Sequence, residues 1–290
     1  MKRLTCFLAF ILPLAAIAQT GSEIYLFDMK AEDKKIILSG PVNITQHKGY
    51  DSQPYFASND PVIYYTAGND SGSTDINTYN YNTKKTGNFT STKESEFSPT
   101  LTPDKKFISC IIQRQTGAQD LGKYPLDGRA PVILVNNLIV GYHSWIDNNS
   151  LLLFILDDRV NSSLHYYNLT TKEDKPIIKN PGRSLHKIPG GDAMSFVDKS
   201  LPNEWMIKKL DCKTISITNI CTTITGHEDL CWTNKGLILM SNGEKIFYYQ
   251  PGSNAGWQLI SFAGNNAAFK NITRIAVNDA NTKLAIVAGE

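Results

Sequence analysis

The sequence predicts an all-β fold, a six-bladed β-propeller of four-stranded antiparallel blades closed by its amino-terminal strand, and three observations predict it. A short pattern recurs six times in the 290 residues: Glu23 to Asp28, Asp75 to Asn80, Asp120 to Pro125, Ser163 to Asn168, Met206 to Asp211 and Lys245 to Gln250. Each copy carries an apolar residue, a second large apolar residue three positions later, and then a turn former. Repeats of about 40 to 45 residues that each hold four short strands are the signature of propeller blades. The third observation concerns the ends. The first copy has no strands before it, whereas Thr282 to Ala288 has no copy after it. The two ends therefore complete one repeat, and a ring closed this way leaves no open sheet edge.

The elements follow in order around the ring. Short strands that end in Pro, Asn, Gly or Asp turns are expected innermost: Gln53 to Asp60, Ser98 to Asp104, Ser144 to Asn149, Leu185 to Gly190, Cys231 to Gly236 and Thr273 to Asp279. After each comes an apolar run suited to burial between blades: Val62 to Tyr65, Phe107 to Ile112, Leu151 to Ile155, Ala193 to Val197, Leu237 to Met240 and Leu284 to Val287. The recurring pattern supplies the third strands. Fourth strands follow turns such as Lys84 to Gly87, and Asp127-Gly128 leading to Pro131 to Val135. In the closing blade Leu284 to Ala288 should pair with Glu23 to Asp28, with Lys35 to Leu38 outside. No window has a 3.6-residue apolar period with caps, so no helix is expected.

Met1-Lys2-Arg3 precedes a mostly apolar run from Leu4 to Ile17 and the small residues Ala16 and Ala18. Residues 1–18 read as a secretory signal peptide, and residues 19–290 as a single propeller domain in an exported, periplasmic or secreted protein. The run is too short to span a bilayer, and no other segment is long and apolar enough. Lysine and arginine exceed the acids by only two and form no basic run, which argues against a nucleic-acid partner. Export permits disulfides among Cys110, Cys212, Cys221 and Cys231, but Cys110 sits mid-strand, and Cys212 and Cys221 read as opposite ends of one outer strand. Buried free thiols are the alternative.

The run Ser98-Pro99 to Pro103-Asp104, followed by Phe107-Ile108, resembles the inner-strand signature of TolB-like propeller repeats, in which Ser-Pro and Pro-Asp-Gly precede an apolar strand. The Asp75-Ile76 and Asp120-Leu121 segments are similar to that family's outer element. The resemblance covers residues 51–135 by motif and the rest by period. Lys105 stands where the family's turn glycine usually sits, and the third to fifth repeats lack the Pro-Asp pair. The resemblance implies a WD-repeat-like ring in an exported protein, often used for protein contacts in the cell envelope, and it implies no enzyme.

Loops that lead into inner strands surround one mouth of the channel, so residues there converge although a repeat apart. Those positions hold Tyr50 and Asp51, Glu94 and Glu96, Tyr142 and His143, Arg183 and His186, His227 with Glu228 and Asp229, and Lys270 with Arg274. Asp51, Glu96, His143, His186, His227 and Arg274 are the candidate ligand-binding set, and His143 and His227 in particular should face one polar cavity. Structural use stands beside this, because acids at such positions cap turns. Imidazoles in successive blades raise a metal ion near the axis, although no metal-ligand spacing occurs. No catalytic residue is assigned, since no nucleophile elbow appears, and no cofactor is assigned. The acid-bearing loops at Asn69 to Asp75 and Asp157 to Arg159 lack EF-hand alternation. Trp257 follows a glycine-rich turn and is expected exposed, whereas Trp145 and Trp232 are expected to pack blades. The reading is a monomeric, non-catalytic binding module for a protein or polysaccharide partner; the alternative is a metal-assisted hydrolase or lyase acting on a carbohydrate or lactone.

Overall fold

The structure is a computed structural model that describes residues 21–32, 35–58, 60–127, 129–158, 161–264 and 269–289. The segment read as a signal peptide lies outside them. Six sheets form the ring, five of them with their strands in chain order from the axis outward. Blade 1 comprises Asp51–Phe56, Val62–Gly68, Thr74–Asn80 and Lys85–Asn88. Blade 2 comprises Ser95–Leu101, Phe107–Gln113, Gln119–Pro125 and Val132–Val135, and blade 3 Val140–Trp145, Ser150–Leu156, Ser162–Asn168 and Asp174–Lys179. Blade 4 comprises His186–Lys187, Ala193–Asp198, Met206–Asp211 and Ile217–Thr222, and blade 5 Leu230–Trp232, Ile238–Ser241, Ile246–Tyr249 and Gln258–Leu259. Blade 6 is assembled from both ends of the chain: Arg274–Val277 and Lys283–Gly289, then Ser22–Glu32 and Lys35–Asn43. Its closing register pairs Glu23 with Ala288 and Asp28 with Lys283, as the orphan ends required.

The core is distributed among the seams between blades. Side chains alternate across each strand, so one strand serves two seams. In the closing blade Ile24, Leu26, Ala285 and Val287 pack against Ile63, Tyr65 and Ala67 of blade 1. Their neighbours Phe27, Met29, Leu284 and Ile286 turn the other way, onto Cys231, Leu239 and Ile246 of blade 5. Similar clusters fill the other four seams. Each fully buried Ile, Leu or Phe contributes about 1.5–3 kcal/mol, so closure rests on apolar burial as well as on the strand ladder.

Three features depart from the expected plan. The inner strand of blade 3 runs from Val140 to Trp145, upstream of the expected segment, because Asp147 Oδ1 accepts from the amides of Asn149 and Ser150, both at 2.8 Å, and makes that stretch a turn. A two-residue strand, Ser261–Phe262, runs parallel to Lys35–Asn43 and covers the outer edge of blade 6. Cys212 lies in a turn and Cys221 within Ile217–Thr222, and among the described residues Cys110, Cys212, Cys221 and Cys231 carry free thiols. The turn at Lys105 keeps the geometry of the glycine it replaces, with φ of 58°. Asp104 holds it by accepting from Thr102 Oγ1 at 2.6 Å and from the Lys106 amide at 3.2 Å. Among the described residues no helix is long and apolar enough to cross a membrane.

Candidate functional site

The inner strands place one residue of each blade around the axis at a common level. In blades 3 and 5 the register is marked by Trp145 and Trp232, whose indoles reach back into the preceding seam. Trp145 Nε1 donates to Ser109 Oγ of blade 2, and Trp232 Nε1 donates to Ser195 Oγ of blade 4, both at 2.8 Å. Three positions before each tryptophan stand Tyr142 and Asp229. The matching residues elsewhere are Gln53, Ser98, Arg183 and Arg274, and all six line one small cavity of about 140 Å³ at the waist of the channel.

In blades 1 and 2 a bulge sets this level. Gln53 and Ser98, each before a proline, have φ of 57° and 56°, and the ladder slips there. The two are also bonded, since Gln53 Oε1 accepts from the Ser98 amide at 2.8 Å.

Charge at the waist is concentrated on one side. Asp229 accepts from Arg183 Nε at 3.1 Å and from Arg274 Nη1. Arg274 Nη2 donates to the Tyr142 hydroxyl at 3.1 Å, its guanidinium lying 5.3 Å from that ring's centroid. Burial works against the Arg274 charge, but Asp229 and the tyrosine oxygens outweigh it and hold its pKa above the usual value. Arg183 Nη2 reaches the Thr273 carbonyl at 3.1 Å. Glu228, one residue ahead of Asp229, faces Lys199 Nζ at 3.0 Å and Arg183 Nε at 3.7 Å.

The channel widens on both sides of the waist. Toward the loops that enter the inner strands lies a mouth of about 590 Å³ with Tyr50, Tyr142, Arg183 and Arg274 in its wall. Toward the opposite face lies a funnel of about 900 Å³ walled by Tyr55, Leu101, Trp145, Trp232 and Val277, with His143 and His186 at its neck.

The six candidate residues do not converge. Arg274 and His186 reach the waist. His186 bonds to Ser184 Oγ at 2.9 Å, and burial lowers its pKa to about 4, so it is neutral. His143 turns into the seam with blade 2, where Nε2 meets Ser109 Oγ at 2.7 Å; burial again lowers the pKa to about 4, and Nδ1 finds no partner.

Asp51 points into the closure seam, 1 % exposed and 2.7 Å from His47 Nδ1, with its pKa pushed up to about 6 by burial against the pull of His47. Glu96 is its counterpart in the next seam. It is fully buried, accepts from Thr92 Oγ1 at 2.7 Å and Tyr124 OH at 2.8 Å, and burial raises its pKa. His227 lies on the rim against Gly243, its Cε1 3.4 Å from where a Cβ would stand. The expected common cavity for His143 and His227 is therefore absent, because strand alternation turns one imidazole into a seam and the loop turns the other outward.

Among the described residues no three His, Cys, Asp or Glu side chains gather as a metal-binding group. One further constellation escaped the sequence reading. Ser163 Oγ meets His165 Nε2 at 2.8 Å, and His165 Nδ1 meets Asp174 Oδ1 at 2.5 Å. The Ser163 hydroxyl, however, also donates to Asp157 Oδ1 at 2.8 Å, and the serine is 6 % exposed. A proton directed at a carboxylate, on a residue so covered, describes a structural network in blade 3. Trp257, expected to be exposed, is half-buried, its ring tilted by 47° against Tyr249 at 5.4 Å and its indole N–H donating to the Thr222 carbonyl of blade 4.

Fold and channel together define a six-bladed β-propeller with a charged, tyrosine-bearing waist. No family model matches the chain, and no curated protein matches it in sequence. Among solved structures it is similar to a putative TolB from Agrobacterium tumefaciens, with TM-score 0.65 and 12 % identity over 94 % of this chain and 99 % of that one. It is similar to TolB from Acinetobacter baumannii, with TM-score 0.60 and 11 % identity over 93 % of this chain, and it spans only 65 % of that protein's length. A gluconolactonase from Xanthomonas campestris has TM-score 0.61 and 8 % identity over 94 % of this chain and 99 % of that one. At such identities the likeness is one of fold: a TolB-like six-bladed propeller.

Proposed function

We propose that the chain is an exported, non-catalytic binding module that engages a protein or polysaccharide of the cell envelope through the mouth of its channel. The fold alone does not choose this reading, since the same ring carries a gluconolactonase as well as TolB. One observation supports it: the ionisable groups of the mouth are committed to one another. Asp229 is held by Arg183 and Arg274, Glu228 by Lys199 and Arg183, and His186 is neutral and bonded to Ser184. Among the described residues of the waist the carboxylates and the imidazole are held in these bonds, and a surface pre-set by its own bonds is ordered before a ligand arrives. The metal-assisted alternative needs a donor cluster near the axis, and the residues present do not fit one: His143, His186 and His227 occupy a seam, the waist and the rim.

Co-sedimentation of residues 19–290 with the envelope fraction of the source cells tests the reading. Binding that weakens at least tenfold in the Arg183→Gln/Arg274→Gln double variant, with circular dichroism unchanged, is the expected result. Retention unaffected by the double variant would move the binding surface elsewhere.

A further inference from the structure

We infer that the channel mouth is a receptor for a carboxylate-bearing saccharide, whose carboxylate is held between Arg183 and Arg274. This rests on the reading of the mouth as the binding surface and names the chemistry it selects.

The first argument is charge. With Glu228 facing Lys199, the two guanidiniums at the axis share the single carboxylate of Asp229, which leaves one positive charge in excess in a recess where Arg274 is largely covered. A monoanion offsets it. The second is unused donors. Each guanidinium has five N–H groups. The bonds from Arg183 to Asp229 and Thr273, and from Arg274 to Asp229 and Tyr142, leave N–H groups on both for the planar, two-toothed pairing that arginine makes with carboxylates.

The third is the wall. In the part of the mouth that holds both arginines stand the hydroxyls of Ser22, Ser52 and Tyr50 and the amide of Asn271, whereas Glu228, which faces Lys199, and the apolar Phe97, Ile111 and Leu156 line an adjoining recess that shares Tyr50, Tyr142 and Arg183. Hydroxyl and amide groups at that density around both arginines match a ligand that carries hydroxyls of its own. A fourth observation lies just below: Ser98 Oγ, on the same ring as both arginines, is buried without a hydrogen-bond partner. A cavity of about 590 Å³ accommodates one sugar unit, whether a free sugar acid or the terminal residue of an acidic polysaccharide.

Isothermal titration of residues 19–290 with glucuronate, glucose and inorganic phosphate tests the inference, and an oligoglucuronate separates a polymer end from the free acid. Glucuronate should bind at least tenfold more tightly than glucose or phosphate, and added salt should weaken it. Arg183→Gln should reduce the affinity about 10- to 100-fold, as loss of a charge-assisted pair does. If Arg274→Gln fails to fold because Asp229 is left unpaired, Tyr142→Phe, which removes only a hydroxyl, should still weaken glucuronate several-fold. Equal affinity for glucuronate and glucose, tighter binding of phosphate, or an Arg183→Gln variant that binds glucuronate unchanged would each overturn the inference. If glucuronate does not bind while the arginine-dependent envelope co-sedimentation persists, the saccharide is wrong and the binding module stands; if both are lost, the mouth is not the binding surface.

Discussion

Tyr142 and His143 are neighbours in one strand, yet they belong to different parts of the molecule. Tyr142 meets Arg274 at the axis, while His143, at the edge of the funnel, turns to bond Ser109 in the seam between two blades. Tyr50 and Asp51 divide in the same way, one in the wall of the mouth and the other in the closure seam. In a ring whose inner strands run beside the axis, a shift of one position exchanges channel for seam. The two regions also treat charge differently. Seam acids and the His143 imidazole are forced toward neutrality by burial, as is His186 at the waist, whereas Arg274 keeps its charge there because Asp229 faces it.

The largest test removes a seam outright. Deleting residues 281–290 strips Leu284, Ile286 and Val287 from two clusters and unpairs the strands on either side. The lost burial exceeds several kcal/mol against a typical total of about 5–15 kcal/mol. Soluble expression should collapse; a truncated protein with unchanged melting would refute the closure. A smaller test sets one seam residue against one channel residue. Glu96→Ala should cost about 2–4 kcal/mol in urea unfolding, because Thr92 and Tyr124 lose a buried acceptor. Tyr142→Phe should cost under about 1 kcal/mol. Equal costs would erase the distinction between the regions.

The finest test uses pH. Asp51 has a folded pKa of about 6 against an ordinary 3.8, so the folded state holds its proton more tightly and the carboxyl's contribution to stability falls as pH rises across that window. His143 and His186, lowered to about 4, act in the opposite sense: their contribution is present above pH 6.5 and is lost as pH falls through 4. The wild-type profile therefore mixes both. The difference between Asp51→Asn and wild type removes the imidazoles of His143 and His186 from the comparison and reports Asp51 with its partner His47, and it should move in the variant's favour by about 1–3 kcal/mol between pH 4 and pH 6. A difference that is flat with pH would mean that Asp51 is not the buried acid that the seam geometry makes it.

The ring was legible from residues such as Ile24 with Phe27 and Ile76 with Tyr79, because third strands sit in two seams and must repeat their apolar spacing. The level of the site was legible too, and Arg274 was found. Tyr142, Arg183 and Asp229 stood among the positions expected at the mouth but outside the six-residue set, and Gln53 and Ser98 were not named there, because alternation fixes which side chain faces the axis only when the strand's start is known. The bulges at Gln53 and Ser98 and the turn made by Asp147 move that start without a signal in the apolar pattern. A cue did exist: counting three positions back from Trp145 and Trp232 finds Tyr142 and Asp229, and one repeat either side of Asp229 finds Arg183 and Arg274.

The blade built from both chain ends also governs the order of folding. Asp28 and Lys283, which meet across its central ladder, are 255 residues apart. Contacts of that separation carry a large loop-closure entropy and form late, whereas the strands of blades 1 to 5 are joined by short turns and form early. The slow species is then an open arc of five blades with an apolar face bare at each end. It is this arc, rather than the finished ring, that meets chaperones, proteases and other copies of itself while it waits to close.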